Sequence, residues 1–166
     1  MRTATAADAP ALHALISAHL SEGHLLPRSL DDLARHAGRF VVCDVDGELM
    51  ACAELAPLSA GVAEVRSLVV SRDFRRVGLA ARLLGEIRSR ARAGGFDTLC
   101  AFTHDPRFFV RQNFSIVPHL WLPEKIATDC VSCPLFRRCA QYAMVLPLQA
   151  IARYVPRETP RHVAVA

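Results

Sequence analysis

Residues 65–84 read VRSLVVSRDFRRVGLAARLL, and their hydrophobic pattern changes period halfway along. Leu68, Val69 and Val70 form a short branched apolar run that predicts the end of a buried strand. From Gly78 onward Leu79, Leu83 and Ile87 recur every four residues, with Leu84 beside them, while Arg82, Glu86, Arg88 and Arg90 fall mainly on other faces. That spacing predicts an amphipathic helix from Gly78 to about Ala93, ended by Gly94 and Gly95. Arg75, Arg76 and Gly78 stand between strand and helix. The first turn of a helix has backbone N–H groups without intrahelical partners, and its dipole favours anions. Gly78 lets a ligand approach the backbone closely, and the two arginines add charge-assisted hydrogen bonds. The junction is therefore built to cradle a diphosphate.

Working outward, the N-terminal side predicts two helices and a hairpin. Asp8 caps a helix with Pro10 in its first turn, and Leu12, Leu15, Ile16 and His19 follow helical spacing as far as a stop at Gly23. Ser29, with Asp32 three residues on, starts a second short helix that ends at Gly38. FVVCDVDGELMACAEL, residues 40–55, reads as a β-hairpin turning at Asp46–Gly47. GVAEVRSLVV, residues 61–70, is the strand entering the junction. Downstream, DTLCAFT (97–103) is a strand, DPRFFVRQNF (105–114) holds a brief helix, and YAMVLPL (142–148) is a last strand. From Pro156 onward no periodicity is visible, which predicts one domain over residues 1–155 and a loose tail over 156–166. The order implies an α/β layered domain whose central strand–helix–strand unit is a right-handed parallel crossover.

Composition narrows the function classes. No apolar run reaches the length of a membrane span, and the N-terminus lacks the pattern of a secretory signal, so a cytoplasmic protein is expected. Only Lys125 is a lysine, so 19 of the 20 cationic residues are arginines, and the net charge is +4. This balance weakly favours an anionic small molecule or nucleic acid. The aromatic residues are few and scattered, which leaves no base-stacking platform. Cys43, Cys52 and Cys100 sit singly in strand-like runs and read as small buried hydrophobes. Cys130, Cys133 and Cys139 cluster in CVSCPLFRRC, half of a common zinc pattern plus one thiol. Asp129, His119 or a partner chain is the candidate fourth ligand of a structural zinc; reduced thiols in a tight knot are the alternative.

The junction resembles the acetyl-CoA signature of the GNAT acyltransferase superfamily, an Arg/Gln-x-x-Gly-x-Gly/Ala loop following a strand. Arg75, Gly78 and Ala80 match its fixed positions. The resemblance implies a mixed sheet with a splayed central strand pair and helices on both faces. It places the pyrophosphate of CoA against Arg75, Arg76, Val77, Gly78, Leu79 and Ala80, and the pantetheine arm along Leu68, Val69 and Val70. A narrower resemblance rests on LLPRS, AEVRSLVV, DPRFF, LPEK and the cysteine cluster together. These stretches resemble the short stand-alone N-acetylglutamate synthases of bacterial arginine biosynthesis.

Acetyl transfer to an amine needs a base, a polarised thioester and a held acceptor. Glu64, at the start of the strand that leads to the loop, can take the ammonium proton; the resemblance assigns it the same role. The resemblance implies that a backbone N–H of the splayed strand, that of Val69 or Val70, polarises the thioester carbonyl. For the acceptor the resemblance implies Arg28 on a carboxylate and Thr103 across the split, with Ser67 contributing its main chain; Lys125 is a further candidate for the second carboxylate of glutamate. Many superfamily members protonate the leaving thiolate with a tyrosine; here Phe109 stands at that position and Asn113 replaces a glycine. Asn113 suggests a left-handed backbone, which asparagine tolerates. The reading is transfer from acetyl-CoA to an amino acid, L-glutamate first. The expected partners are that small molecule and a second copy in a homodimer, with no nucleic acid and no membrane. Another small amine, a protein N-terminus, or a non-catalytic CoA-sensing or zinc-binding module are the alternatives.

Overall fold

The computed structural model describes residues 1–22 and 25–149. Its strands are β1 (Arg2–Thr3), β2 (Phe40–Val45), β3 (Glu48–Pro57), β4 (Val62–Val70), β5 (Thr98–Thr103), β6 (Ser115–Val117) and β7 (Tyr142–Pro147). They form one sheet in the order β1-β2-β3-β4-β5-β7-β6. Only the β4–β5 pair is parallel. The helices are α1 (Ala9–Ala18), α2 (Leu30–His36), α3 (Leu79–Ala93), α4 (Arg107–Arg111) and the short α5 (Pro123–Lys125).

Strand alternation sends successive side chains into two separate cores. Phe40, Val42 and Cys52 pack under α1 and α2 with Leu12, Ile16 and Leu33. Val41, Ala51 and Ala53 pack under α3 with Leu83, Leu84 and Ile87. The sheet is therefore covered on both faces, and α3 crosses over between β4 and β5. Among the described residues no helix is long and apolar enough to cross a membrane.

Local signals set several boundaries. Ser29 Oγ accepts from Asp32 N–H at 3.1 Å and starts α2. Asp46 (φ 51°) and Gly47 (φ 84°) give the two left-handed residues of a type I′ hairpin turn. Asn113 is left-handed at φ 66°. Other boundaries differ from expectation. Helix α1 stops at Ala18, and the expected stop at Gly23 lies outside the described residues. Asp8 caps α1 by position, but its carboxylate bonds Thr5 N–H and Arg2 instead of the first turn. Helix α2 ends at His36, and a 3-10 turn over Ala37–Arg39 carries the chain into β2. Strands β1 and β6 are too short to show an alternation in the sequence. The expected tail and domain boundary lie outside the described residues.

The feature that positions the site is where β4 leaves β5. The two pair only over Val62–Val65 and Thr98–Ala101. Along the other edge of β4, Arg66 faces Glu54 and Val69 faces Cys52, so three steps of β4 match two of β3. This is a β-bulge, and Ser67 takes it up with φ 47°. Cys52 Sγ donates to the Ser67 carbonyl at 3.4 Å. Beyond the bulge β4 follows β3 while β5 continues along β7, and the sheet opens between them.

Leu83 is fully buried between α3 and the sheet. Leu83→Ala is expected to cost about 2–5 kcal/mol of unfolding free energy, read from urea titration at unchanged slope. A loss under about 1 kcal/mol would mean that this face is not close-packed.

Candidate active site

The opened strands bound a cavity of about 1170 Å³. Leu68, Val69 and Val70 line it beyond the last β4–β5 pair, so their backbone on that side has no strand partner from β5. Arg75, Arg76, Gly78, Leu79 and Ala80 line the same cavity from the loop and the first turn of α3. Val77, between them, is 69% exposed and is not among the residues that line the cavity. The loop turns by means of two left-handed residues, Arg76 at φ 67° and Gly78 at φ 81°. No side chain caps α3, so its first N–H groups stay open to a ligand. A Cβ at Gly78 would meet no atom within 4 Å, which leaves the backbone approachable there. Arg75 Nε donates to the Val70 carbonyl at 3.1 Å, and its Nη2 contacts Glu22 at 2.9 and 3.0 Å. The Arg75 hydrogen bond, with help from Arg72, holds the Glu22 carboxyl below its ordinary range.

Two charged clusters line the other end. Glu64 is 3% exposed and takes three cationic contacts. Arg66 Nε donates to it at 2.6 Å, and Lys125 Nζ reaches its two oxygens at 2.8 and 2.9 Å. Asp129 accepts from Lys125 at 2.8 Å and also from Arg66 Nη2. Burial opposes the charge on Arg66, but Glu64 and Asp129 outweigh it and raise its pKa. In the second cluster Arg28 donates to buried Glu54 at 2.6 Å, to Asp32 at 2.7 Å and to Ser67 Oγ at 3.3 Å. Burial again opposes the charge on Arg28 and the two carboxylates again prevail. The clusters are adjacent because Glu54 and Arg66 face each other across β3 and β4.

Expected residues Glu64, Ser67, Arg28, Thr103 and Lys125 thus converge on one cavity. The Thr103 hydroxyl is tied into a turn with Asp105, donating to its carbonyl at 3.1 Å and accepting from its N–H at 3.2 Å. Phe109 is buried against Phe108 and Phe114, with ring centroids 5.2 Å apart in each case. Glu54 and Arg66 carry no assignment from the sequence, and Asp32 and Asp129, read there as a helix-capping partner and a candidate metal ligand, instead join these ion-pair clusters. A lone carboxylate in the apolar run ACAEL and the Glu64-x-Arg66 spacing were the available signals.

The zinc expectation is corrected. Among the described residues no group of three or more His, Cys, Asp or Glu side chains is arranged to hold an ion. Cys130, Cys133 and Cys139 are free thiols, and burial pushes that of Cys130 up. The candidate fourth ligands are engaged elsewhere: Asp129 with Arg66 and Lys125, His119 Nε2 at 2.9 Å from the Gln141 carbonyl.

Comparison with known proteins agrees with this geometry. Residues 10–114 match the acetyltransferase (GNAT) family. An uncharacterized N-acetyltransferase of Chlorobaculum tepidum is 30% identical over 148 residues, spanning 89% of this chain and 96% of that protein. The amino-acid acetyltransferase of Azotobacter vinelandii is 38% identical over 114 residues, 68% of this chain but only 26% of its own length. The structure of N-acetylglutamate synthase from Neisseria gonorrhoeae, complexed with coenzyme A and N-acetyl-glutamate, superposes with a TM-score of 0.80 at 30% identity. That alignment covers 90% of this chain and 35% of the synthase chain. A seven-stranded sheet parted after Val65, a Gly78 loop facing the gap, and these sequence matches agree: the chain belongs to the GNAT acetyltransferase family.

Proposed function

We propose that the chain moves the acetyl group of acetyl-CoA to the α-amine of L-glutamate, as a cytoplasmic enzyme of arginine biosynthesis. The observation that carries this reading is a single cavity with an anion-binding loop at one end and a carboxylate–cation cluster at the other. The partial matches to amino-acid acetyltransferases support the acceptor class.

In this reading the cofactor's pyrophosphate lies on the first amides of α3 and beside Arg75 and Arg76. Its pantetheine arm pairs with the β4 backbone that β5 has left, over Leu68, Val69 and Val70. The thioester carbonyl takes a hydrogen bond from the Val69 or Val70 N–H. Ser67 turns its main chain to the acceptor through the bulge. Glu64 receives the ammonium proton, directly or through one water, and the free amine attacks the carbonyl carbon. The tetrahedral intermediate then expels the CoA thiolate. Phe109 has no proton to give, so no aromatic hydroxyl at that place takes part. Arg28 and Lys125 bind the acceptor's two carboxylates, and Thr103 contacts it from β5.

One observation favours a second reading of the acceptor. Arg28, Arg66 and Lys125 are all bonded to Asp32, Glu54, Glu64 or Asp129. Four carboxylates face three cations, so a dicarboxylic acceptor must compete with internal anions. An amino acid with an uncharged side chain meets a smaller electrostatic cost.

Free-thiol release from acetyl-CoA, measured against the twenty amino acids, separates the two. Glutamate should give the highest kcat/KM; a neutral amino acid in first place favours the second reading, and no release with any of them overturns both. Glu64→Gln is expected to lower kcat about a hundredfold or more with the KM for acetyl-CoA kept. Full turnover at neutral pH in that variant would remove Glu64 as the base. Gly78→Val forces a β-branched residue into a left-handed backbone and fills the approach to the amides. Calorimetry should then show acetyl-CoA binding weaker by about tenfold; an unchanged affinity would disprove the cradle.

A further inference from the structure

Acetyl transfer gives the cysteine cluster no task, yet all three of its thiols line the cavity. Helix α5 runs directly into a π-helical turn over Ile126–Cys130, and the chain then reverses. The reversal is closed by the Cys133 N–H, which donates to the Cys130 carbonyl at 3.0 Å. A β-turn holds its first and last Cα atoms within about 7 Å, and a disulfide spans about 4.4–6.8 Å between Cα atoms. Both thiols are half-buried and reachable from the cavity, whereas Cys52 and Cys100 are fully buried inside the sheet. The turn also carries the charged cluster. Asp129, which bonds Arg66 and Lys125, immediately precedes Cys130, and Ser132 Oγ donates to its carbonyl at 3.3 Å.

We propose that Cys130 and Cys133 are a thiol pair that exchanges with low-molecular-weight disulfides, and that closing the pair slows acetyl transfer by re-aiming Asp129. One protein thiolate attacks a sulfur of the small disulfide, forming a mixed disulfide and releasing one small thiolate. The second protein thiolate attacks the protein-side sulfur, closes the ring and releases the other. Two protein thiols are oxidised, one small disulfide is reduced to two thiols, and the protons pass from the former to the latter. Closure brings the two Cβ atoms to about 3.8 Å and fixes the turn. Asp129 then no longer holds Arg66 and Lys125 in register with Glu64. The rate effect, though not the exchange, rests on the proposed role of this cluster.

The test treats the protein with oxidised glutathione and reads peptide maps, acceptor kinetics and acetyl-CoA affinity. The expected product is a Cys130–Cys133 link. The kcat/KM for the acceptor should fall by about tenfold, acetyl-CoA affinity should hold, and dithiothreitol should restore the rate. Cys139→Ser should respond as the unaltered protein does. The Cys130→Ser/Cys133→Ser variant should keep, under oxidation, whatever rate it shows when reduced. A persistent glutathione adduct without ring closure, a link through Cys139, or a closed pair with full activity would each overturn the proposal. If no amine is acetylated at all, the functional reading fails, while the peptide map still decides whether the pair exchanges.

Discussion

Everything at the site depends on one extra residue in β4. The bulge at Ser67 lets three residues of β4 span two of β3 and turns the strand away from β5. Without it the parallel pairing begun at Val62–Val65 would continue, and the backbone of Leu68–Val70 would bond β5. A parallel pair buried on both faces is a closed structure with no room for a ligand. The bulge breaks it where α3 begins nearby, so the free strand edge and the open helix amides border the same space. Packing keeps the gap from closing: Val69 is held in the α1–α2 core, and β5 is fixed by its pairing with β7 along its whole length.

The acidic side chains that line the cavity from β3 and β4 are buried and need partners. Glu54 and Glu64 are almost fully buried, and an unpaired buried carboxylate is costly. Each is met by a cation from outside the strands, Arg28 before α2 and Lys125 at the end of α5. These two contacts tie the segment before α2 and the short α5 to the two central strands β3 and β4. The same ion pairs therefore shape this end of the cavity and pin the segments that enclose it. Ion pairing here serves orientation more than stability, because the desolvation of both partners offsets much of the attraction.

How far the sequence discloses this depends on the range of the interaction. The Gly78 loop is legible because its signals are local: an apolar run, two arginines, a glycine and a helical period within twenty residues. The hairpin and α2 are legible for the same reason, through Asp46–Gly47 and the Ser29 cap. The bulge is not, since register is a relation between two strands and Ser67 carries no special chemistry of its own. The pairing of Asp129 is not legible either, because its partner Arg66 lies 63 positions away and only the helical spacing to Lys125 links it to the site. The cysteine pattern misleads for the opposite reason. Its spacing is local and familiar, but the fold gives its candidate fourth ligands, Asp129 and His119, to other partners.

Glu22 shows what the loop prefers to bind. Its carboxylate sits against Arg75 and Arg72, bonded at 2.9 to 3.1 Å, and the arginines favour its ionised form. A side chain from the end of the α1 segment thus takes the kind of contact that a phosphate oxygen would take. Both arginines are substantially exposed, so water and salt screen the pair and it contributes little. On the proposed reading a diphosphate would have the advantage over Glu22, because it carries more charge and could also use the uncapped amides of α3. On that reading the weakness of the internal pair has a function, since a strongly held Glu22 would compete with the cofactor for the same arginine.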